Sequence, residues 1–226
     1  MFGKIGFAMI NEYFDKIFCI NLKDREDRWE SAQAEFQKHN LVVERVDAVD
    51  SRRTPSIVIK DGPEQIGYGA RGCSLSHVKV LQNMIDNNIQ RALILEDDIC
   101  FKDDLQMFFH HRERFIPGNW DILYLGGNHI GKLIVHNGPI YRTDGTYTTG
   151  SYGITLEFAK IAIAKIKELT TPVDVVYSRL AKHFKMYTFN PGIAWQKAGH
   201  SDVENEFKDY EWHLKKKNPN NSGEYI

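Results

Sequence analysis

A fully apolar strand, Ala92–Leu95, runs without a break into three acids, Glu96-Asp97-Asp98. Three adjacent carboxylates repel one another unless a cation or solvent lies between them. On an extended chain, alternation sends Glu96 and Asp98 to the same side. Two hard oxygen donors on one side suit Mg²⁺ or Mn²⁺, ions that keep waters and bind substrate phosphates as well. The same acids would also serve a solvated loop or a helix start, where negative charge is favoured. The segment by itself leaves both readings open.

Around this strand, strand and helix signals alternate. Lys16–Leu22 is an apolar, β-rich run; Asp24 opens a helix carrying Trp29, Ala32 and Phe36; Leu41–Val46 reads as a second strand. Residues 51–70 are polar and rich in Gly and Pro and read as a loop, after which Ser74 is expected to cap a helix with Leu75, Val78, Leu81 and Ile85 on one face. Asp121–Leu125 is a strand stopped by two glycines, and Tyr147–Thr155 a strand or turn. Phe158, Ile161, Ala162, Ile166 and Leu169 mark a helix, and Thr171-Pro172 starts another with Val173, Val176, Leu180 and Phe184. This rhythm predicts one α/β domain, a mostly parallel sheet with helices on both faces, and ligands bound beyond the carboxyl ends of the strands. The expected divisions are an N-terminal extension over 1–14, the domain over 15–207 and a flexible tail over 208–226.

Composition removes several classes of function. A formal net charge of −1 gives no electrostatic footprint for nucleic acid. No run of about 18 apolar residues is present, so no transmembrane helix is expected and any membrane contact is peripheral. The N-terminus has no long apolar h-region and no small-residue cleavage site. Cys19, Cys73 and Cys100 are scattered, odd in number and without a CxxC pair, which fits small buried hydrophobes in a reducing cytosol.

Four further segments carry candidate chemistry, each with a plainer alternative. Asn21, Arg25 and Arg28 follow the first strand, where arginines can meet a phosphate or base edge, or can simply pair with Asp24 and Asp27 on a solvated helix. Gly67–His77 (GYGARGCSLSH) is a Gly-rich stretch feeding a helix, a possible anion site containing Arg71 and Ser76; it is not a Walker A sequence, and His77 reads as a satisfied histidine. Thr148–Gly153, with Gly150 and Ser151, permits close approach of a polar substrate, or is a kinked strand. Asp174 sits in the first turn after Pro172, where any carboxylate is favoured by the helix dipole; Gly199-His200-Ser201-Asp202 offers an imidazole and a carboxylate, or a polar turn.

In their order, I-N-L-x-x-R-x-x-R (Ile20 to Arg28), V-D-A-V-D (Val46 to Asp50), G-C-S-L-S-H (Gly72 to His77), L-I-L-E-D-D (Leu93 to Asp98), W-D-I-L-Y-L-G (Trp120 to Gly126), P-V-D (Pro172 to Asp174) and G-H-S-D (Gly199 to Asp202) resemble glycosyltransferase family 25 across roughly residues 15–205. That family includes bacterial lipooligosaccharide galactosyltransferases and procollagen galactosyltransferases. The resemblance implies a GT-A-like, Rossmann-like fold, a UDP-sugar donor, a Mn²⁺ (or Mg²⁺) cofactor and inversion at the anomeric carbon, with galactose or glucose passed to a glycan, glycolipid or glycoprotein. Carried over by motif, Glu96 and Asp98 take the metal with His200. Asn21, Arg25 and Asp50 fall where the nucleotide lies; Arg28, Arg71, Ser76, Asp97, Gly150 and Ser151 join them as donor-binding candidates from the reading of the residues themselves. The acceptor's base is Asp174, with Asp202 second. The short chain resembles the bacterial or viral-type members, for which a cytoplasmic site is expected.

Two competing functions stand beside this. A nucleotidyltransferase would also use a divalent ion, but usually has a Gly-rich basic loop after its first strand, where this chain has Asn21-Leu22-Lys23-Asp24-Arg25. A non-catalytic nucleotide- or glycan-binding module is disfavoured by the intact Glu96/Asp98 pair.

Overall fold

The computed structural model describes residues 9–53, 66–168, 170–201 and 206–208. Its elements are α1 (Ile10–Tyr13), β1 (Lys16–Asn21), α2 (Glu26–Lys38), β2 (Glu44–Asp47), α3 (Tyr68–Asp86), β3 (Arg91–Glu96), β4 (Ile99–Phe101), α4 (Leu105–Glu113), β5 (Ile122–Tyr124), β6 (Ile134–Asn137), β7 (Ile140–Arg142), β8 (Ser151–Thr155), α5 (Leu156–Ile166), α6 (Val173–Leu180), β9 (Met186–Phe189), β10 (Ala194–Gln196), β11 (Gly199–Ser201) and β12 (Glu206–Lys208). Eight strands form one sheet in the order β2-β1-β3-β8-β5-β9-β7-β6. The pairings make β2, β1, β3, β5 and β9 point the same way; β8 is reversed between β3 and β5, and the β6–β7 hairpin closes one edge. This is the mixed, mostly parallel α/β sheet that the alternating pattern implies, with two two-stranded ribbons, β4–β10 and β11–β12, beside it.

The central strands are apolar without alternation because both of their faces are covered. Phe18, Ile20, Ala92 and Ile94 face a core built with α3, α5 and α6. Ile17, Cys19, Leu93 and Leu95 face a second core built with α1, α2 and α4. Each fully buried aliphatic side chain contributes about 1.5–3 kcal/mol of transfer free energy. Leu93, Ile94 and Leu95 are wholly buried, so β3 is anchored immediately before its acids. Alternation then decides where the first acid goes. Glu96 follows the parity of Ala92 and Ile94 and emerges on the α3 face.

Several local expectations shift. The helix expected from Ser74 starts at Tyr68, with Gly67 in the cap position and Ser74 fully buried within it. Two glycines in its first turns, Gly69 and Gly72, make it a poor helix by propensity. Packing decides otherwise: a Cβ on Gly72 would lie 2.5 Å from the Val49 carbonyl oxygen, so the residue must be glycine for α3 to approach the loop after β2. The helix expected from Asp24 begins at Glu26, and Asp24 instead pairs with Arg53 at 2.7 Å. Helix α6 begins at Val173 with Pro172 in the cap position, one residue later than the Thr171 cap implied. Ile10 and Phe14, assigned by sequence to an extension, are buried in the second core, and Phe14 packs where a Cβ on Gly153 would stand. Leu169, residues 54–65 of the expected loop, Asp202 and the tail beyond Lys208 lie outside the described residues. Among the described residues no helix is long and apolar enough to cross a membrane.

Candidate active site

A cleft of about 460 Å³ opens beyond the carboxyl ends of β1, β2 and β3. Asn21, Ala48–Arg52 and Glu96–Asp98 come to it from the strand ends, Gly67–Ala70 with Cys73, Ser76 and His77 from α3, Tyr147–Thr149 from the segment before β8, Pro172–Val175 from the start of α6, and Gln196 and Lys197 from the end of β10. This is where an open α/β sheet binds its ligand.

The three acids do not share one environment. Glu96 accepts from Thr149 Oγ1 at 2.7 Å and from Gln196 Nε2 at 3.2 Å. Asp98 accepts from the same Gln196 amide at 3.3 Å and from the Arg28 guanidinium at 2.9 Å. One amide nitrogen therefore lies between oxygens of both carboxylates, which confirms that Glu96 and Asp98 face one side. Gln196 is held there by the antiparallel β4–β10 ribbon, in which it stands opposite Ile99. Asp97 turns the other way, accepting from Asn21 Nδ2 at 2.6 Å and pairing with Arg28 Nε at 3.1 Å. One arginine thus bridges two neighbouring acids.

Electrostatics separate them further. Burial opposes the charge on Glu96, but the His77 imidazole and the Thr149 hydroxyl outweigh it and hold the carboxyl below its ordinary range. Burial, together with the charge of Glu96, pushes Asp98 up to about 7 in spite of Arg28. Burial also raises Asp97, against the pull of Arg28 and Asn21. The three acids carry more negative charge than Arg28, the arginine paired with two of them, neutralises. The Glu96 and Asp98 oxygens are a hard donor set that would fit a divalent ion.

Asp174 reaches the cleft from α6. Its carboxylate accepts from the Val175 amide at 2.8 Å, and burial, with a smaller contribution from the charge of Glu96, raises it above the usual carboxylate range. Ser76 ties α3 to the loop after β2, donating to Gly72 O at 2.7 Å and accepting from Val49 N at 2.8 Å. Asp50 lines the cleft with its carboxylate held low by Arg52 and then Arg53.

Arg25, Arg71, Gly150 and Ser151 stand apart from the cleft lining. Arg25 forms a two-pronged pair with Asp27 at 3.0 and 3.1 Å. Arg71 is buried over the Tyr68 ring and donates to Ile66 O at 3.3 Å. Gly150 and Ser151 lie in a small crevice behind Gln196, and a Cβ on Gly150 would meet Gln196 Cγ at 2.8 Å. The glycine makes room for a protein side chain. His200 belongs to β11, between the cleft-lining Gly199 and Ser201. Sequence reasoning did not single out Gln196 or Lys197, which carry no local signal. It also read His77 as a satisfied, half-buried residue; the side chain is fully buried, and one of its ring nitrogens has no hydrogen-bond partner.

The family model for glycosyltransferase family 25 (LPS biosynthesis protein) matches residues 14–177. The chain belongs to glycosyltransferase family 25. This family 25 chain is 27% identical to procollagen galactosyltransferase 2 of Mus musculus over 168 residues, which cover 65% of the chain and 27% of that protein. It is 28% identical to inactive glycosyltransferase 25 family member 3 of the same organism over 174 residues, covering 67% and 29%. The chain therefore spans less than a third of the length of these relatives, and since one of them is described as inactive, activity has to be argued from the site. In the crystal structure of a glycosyltransferase involved in the glycosylation of the major capsid of PBCV-1, 97% of the chain aligns with 84% of this one, at 11% identity and a TM-score of 0.47.

Proposed function

We propose that the chain transfers a hexose, galactose or glucose, from a UDP-sugar to a hydroxyl of a glycan, glycolipid or glycoprotein, with inversion at the anomeric carbon. The observation that carries this reading is the convergence, in one cleft of a family 25 chain, of the Glu96/Asp98 pair and a separate raised carboxylate, Asp174. Transfer needs both: a place where the leaving diphosphate is stabilised, and a base elsewhere that accepts the acceptor's proton.

In the proposed mechanism Glu96 and Asp98 would hold Mn²⁺ or Mg²⁺, with His200 as a further ligand. Such an ion supplies charge stabilisation to the departing diphosphate. Asn21, Arg28 and Asp50 flank the nucleotide; Arg28 already serves two acids and can offer its guanidinium to phosphate oxygens. Asp174 takes the proton of the acceptor hydroxyl as that oxygen attacks the anomeric carbon and the bond from carbon to the diphosphate oxygen breaks. Asp202 is the second choice for this base. All three cysteines are free thiols, in keeping with a reducing, cytoplasmic site of action.

The test is a panel of nucleotide sugars assayed for metal-dependent release of the nucleoside diphosphate, beside calorimetry of uridine diphosphate with and without chelator. The expected result is release from a UDP-hexose and nucleotide binding that collapses on chelation, with Mn²⁺ the best ion. Equal affinity in both conditions would remove the metal from the mechanism, and release of pyrophosphate would favour a nucleotidyltransferase.

A further inference from the structure

Cys73 and His77 stand four residues apart on α3, one turn of helix, so their side chains share a face. Strand β3 delivers Glu96 to that same face. The ligating atoms of the three residues all lie within 4.8 Å of one another, and all three residues line the cleft. We propose that Cys73, His77 and Glu96 form a second cation site, one that selects a thiophilic divalent ion such as Zn²⁺.

The decisive feature is the orientation of His77. Its Nδ1 lies 2.7 Å from the Tyr152 hydroxyl, which in turn lies 3.1 Å from the Tyr177 hydroxyl. A neutral imidazole that donates from Nδ1 to Tyr152 bears its lone pair on Nε2. That atom is buried, has no hydrogen-bond partner, and sits 3.6 Å from Glu96 Oε1, beyond hydrogen-bond distance. In that tautomer Nε2 and Glu96 Oε1, which already accepts from Thr149, face each other beyond hydrogen-bond distance with the Cys73 sulfur nearby. A cation between them would take all three residues as ligands. A metal-binding histidine is characteristically held this way, with its other ring nitrogen tied to a buried partner.

The donor set chooses the ion. Thiolate, imidazole and carboxylate together suit Zn²⁺, whereas Mg²⁺ and Mn²⁺ prefer oxygen. Zinc bonds of about 2.0–2.3 Å set tetrahedral ligand atoms roughly 3.4 Å apart. The His77–Glu96 separation of 3.6 Å already matches, and the Cys73 sulfur lies within 4.8 Å of both atoms. The fourth position opens to the cleft. On binding, the sulfur–metal bond forms as the S–H bond breaks, and the proton leaves to solvent. Because Glu96 cannot serve both ions in the same way, Zn²⁺ at this site displaces Mn²⁺ from Glu96/Asp98. That consequence rests on the proposed role of Glu96; the binding site itself does not.

Metal-free protein titrated with Co²⁺ tests the site. One equivalent is expected to give a thiolate-to-cobalt charge-transfer band in the near ultraviolet, which Zn²⁺ bleaches by displacement. Cys73→Ser is expected to lose the band and to keep Mn²⁺ binding. Asp98→Asn is expected to keep the band. Tyr152→Phe, which frees the imidazole orientation, is expected to weaken Zn²⁺ binding by about 10–100-fold. Absence of the band in the wild type, or its survival in Cys73→Ser, overturns the site, the latter by assigning the thiolate to Cys19 or Cys100. A normal band with no displacement of Mn²⁺ by Zn²⁺ upholds the site and removes Glu96 from the catalytic pair.

Discussion

Two sets of carboxylates line one cleft, and the structure treats them differently. The acids after β3 are crowded: Arg28, Asn21, Thr149 and Gln196 bind their oxygens, and still Asp98 is pushed up to about 7. Asp174 stands on another element and accepts from its neighbour's amide. Crowding makes a wall that benefits from added positive charge. Separation makes a carboxylate that can take a proton without disturbing a network. On the proposed function, the charge-stabilising role falls to one set and the proton-accepting role to the other, and substitutions in each should fail in different ways.

The largest effect is expected from the crowded set. Asp98→Asn should abolish transfer, with a loss of about a thousandfold or more, because several kcal/mol of leaving-group stabilisation go with the cation. Nucleotide affinity should become insensitive to chelator. A variant that folds, transfers and still responds to Mn²⁺ would move the metal away from Glu96/Asp98 and dissolve the contrast.

Asp174→Asn should lower kcat by about 10²–10⁴-fold and leave donor affinity nearly unchanged, since a general base acts in the transition state. A helix-dipole role alone would cost only about 0.3–1 kcal/mol of stability and leave turnover intact. Normal turnover would pass the base role to Asp202, where the same substitution becomes the next test. A loss of donor affinity equal to that of Asp98→Asn would show that both sets serve the donor.

The crowded set was legible in the sequence because its signal is local. An apolar strand ending in acids marks the site, although β3 ends at Glu96 and a turn over 97–98, rather than strand alternation, brings Asp98 to the same Gln196 amide. The residue that bridges them was not legible. Gln196 lies a hundred residues away from Glu96, brought in by the β4–β10 pairing, and no local pattern marks it. Gly150 signalled a close approach correctly, but the approaching group is Gln196 itself. The start of α3 was misread for a related reason. Glycines 67, 69 and 72 spell a loop by propensity, and what outweighs propensity is the contact between Gly72 and the Val49 carbonyl. The sheet read well because buried strands and amphipathic helices write their periods into contiguous residues; the site read less well because it joins side chains from many segments far apart in the chain.

The smallest expected effect is thermal, and its sign follows from the crowding. A carboxyl whose folded pKa is raised above its unfolded value near 3.9 favours the folded state only while protonated. For Asp98, raised to about 7 by burial and the charge of Glu96, that contribution is fully present below about pH 4 and is lost as pH rises through 7. The metal-free wild type therefore carries a penalty from Asp98 at pH 8 that an amide does not carry. Metal-free Asp98→Asn should melt a few degrees above the wild type at pH 8, and the gap should narrow as pH falls through 7. Saturating Mn²⁺ should reverse the order at pH 8, because binding to the folded state stabilises only the chain that retains the site. Thermal melts at pH 5, 7 and 8, with and without Mn²⁺, give the full pattern. An Asp98→Asn variant that melts below the wild type at pH 8 without metal would mean that Arg28 already neutralises the wall, and that Asp98 and Asp174 differ less in electrostatics than in position.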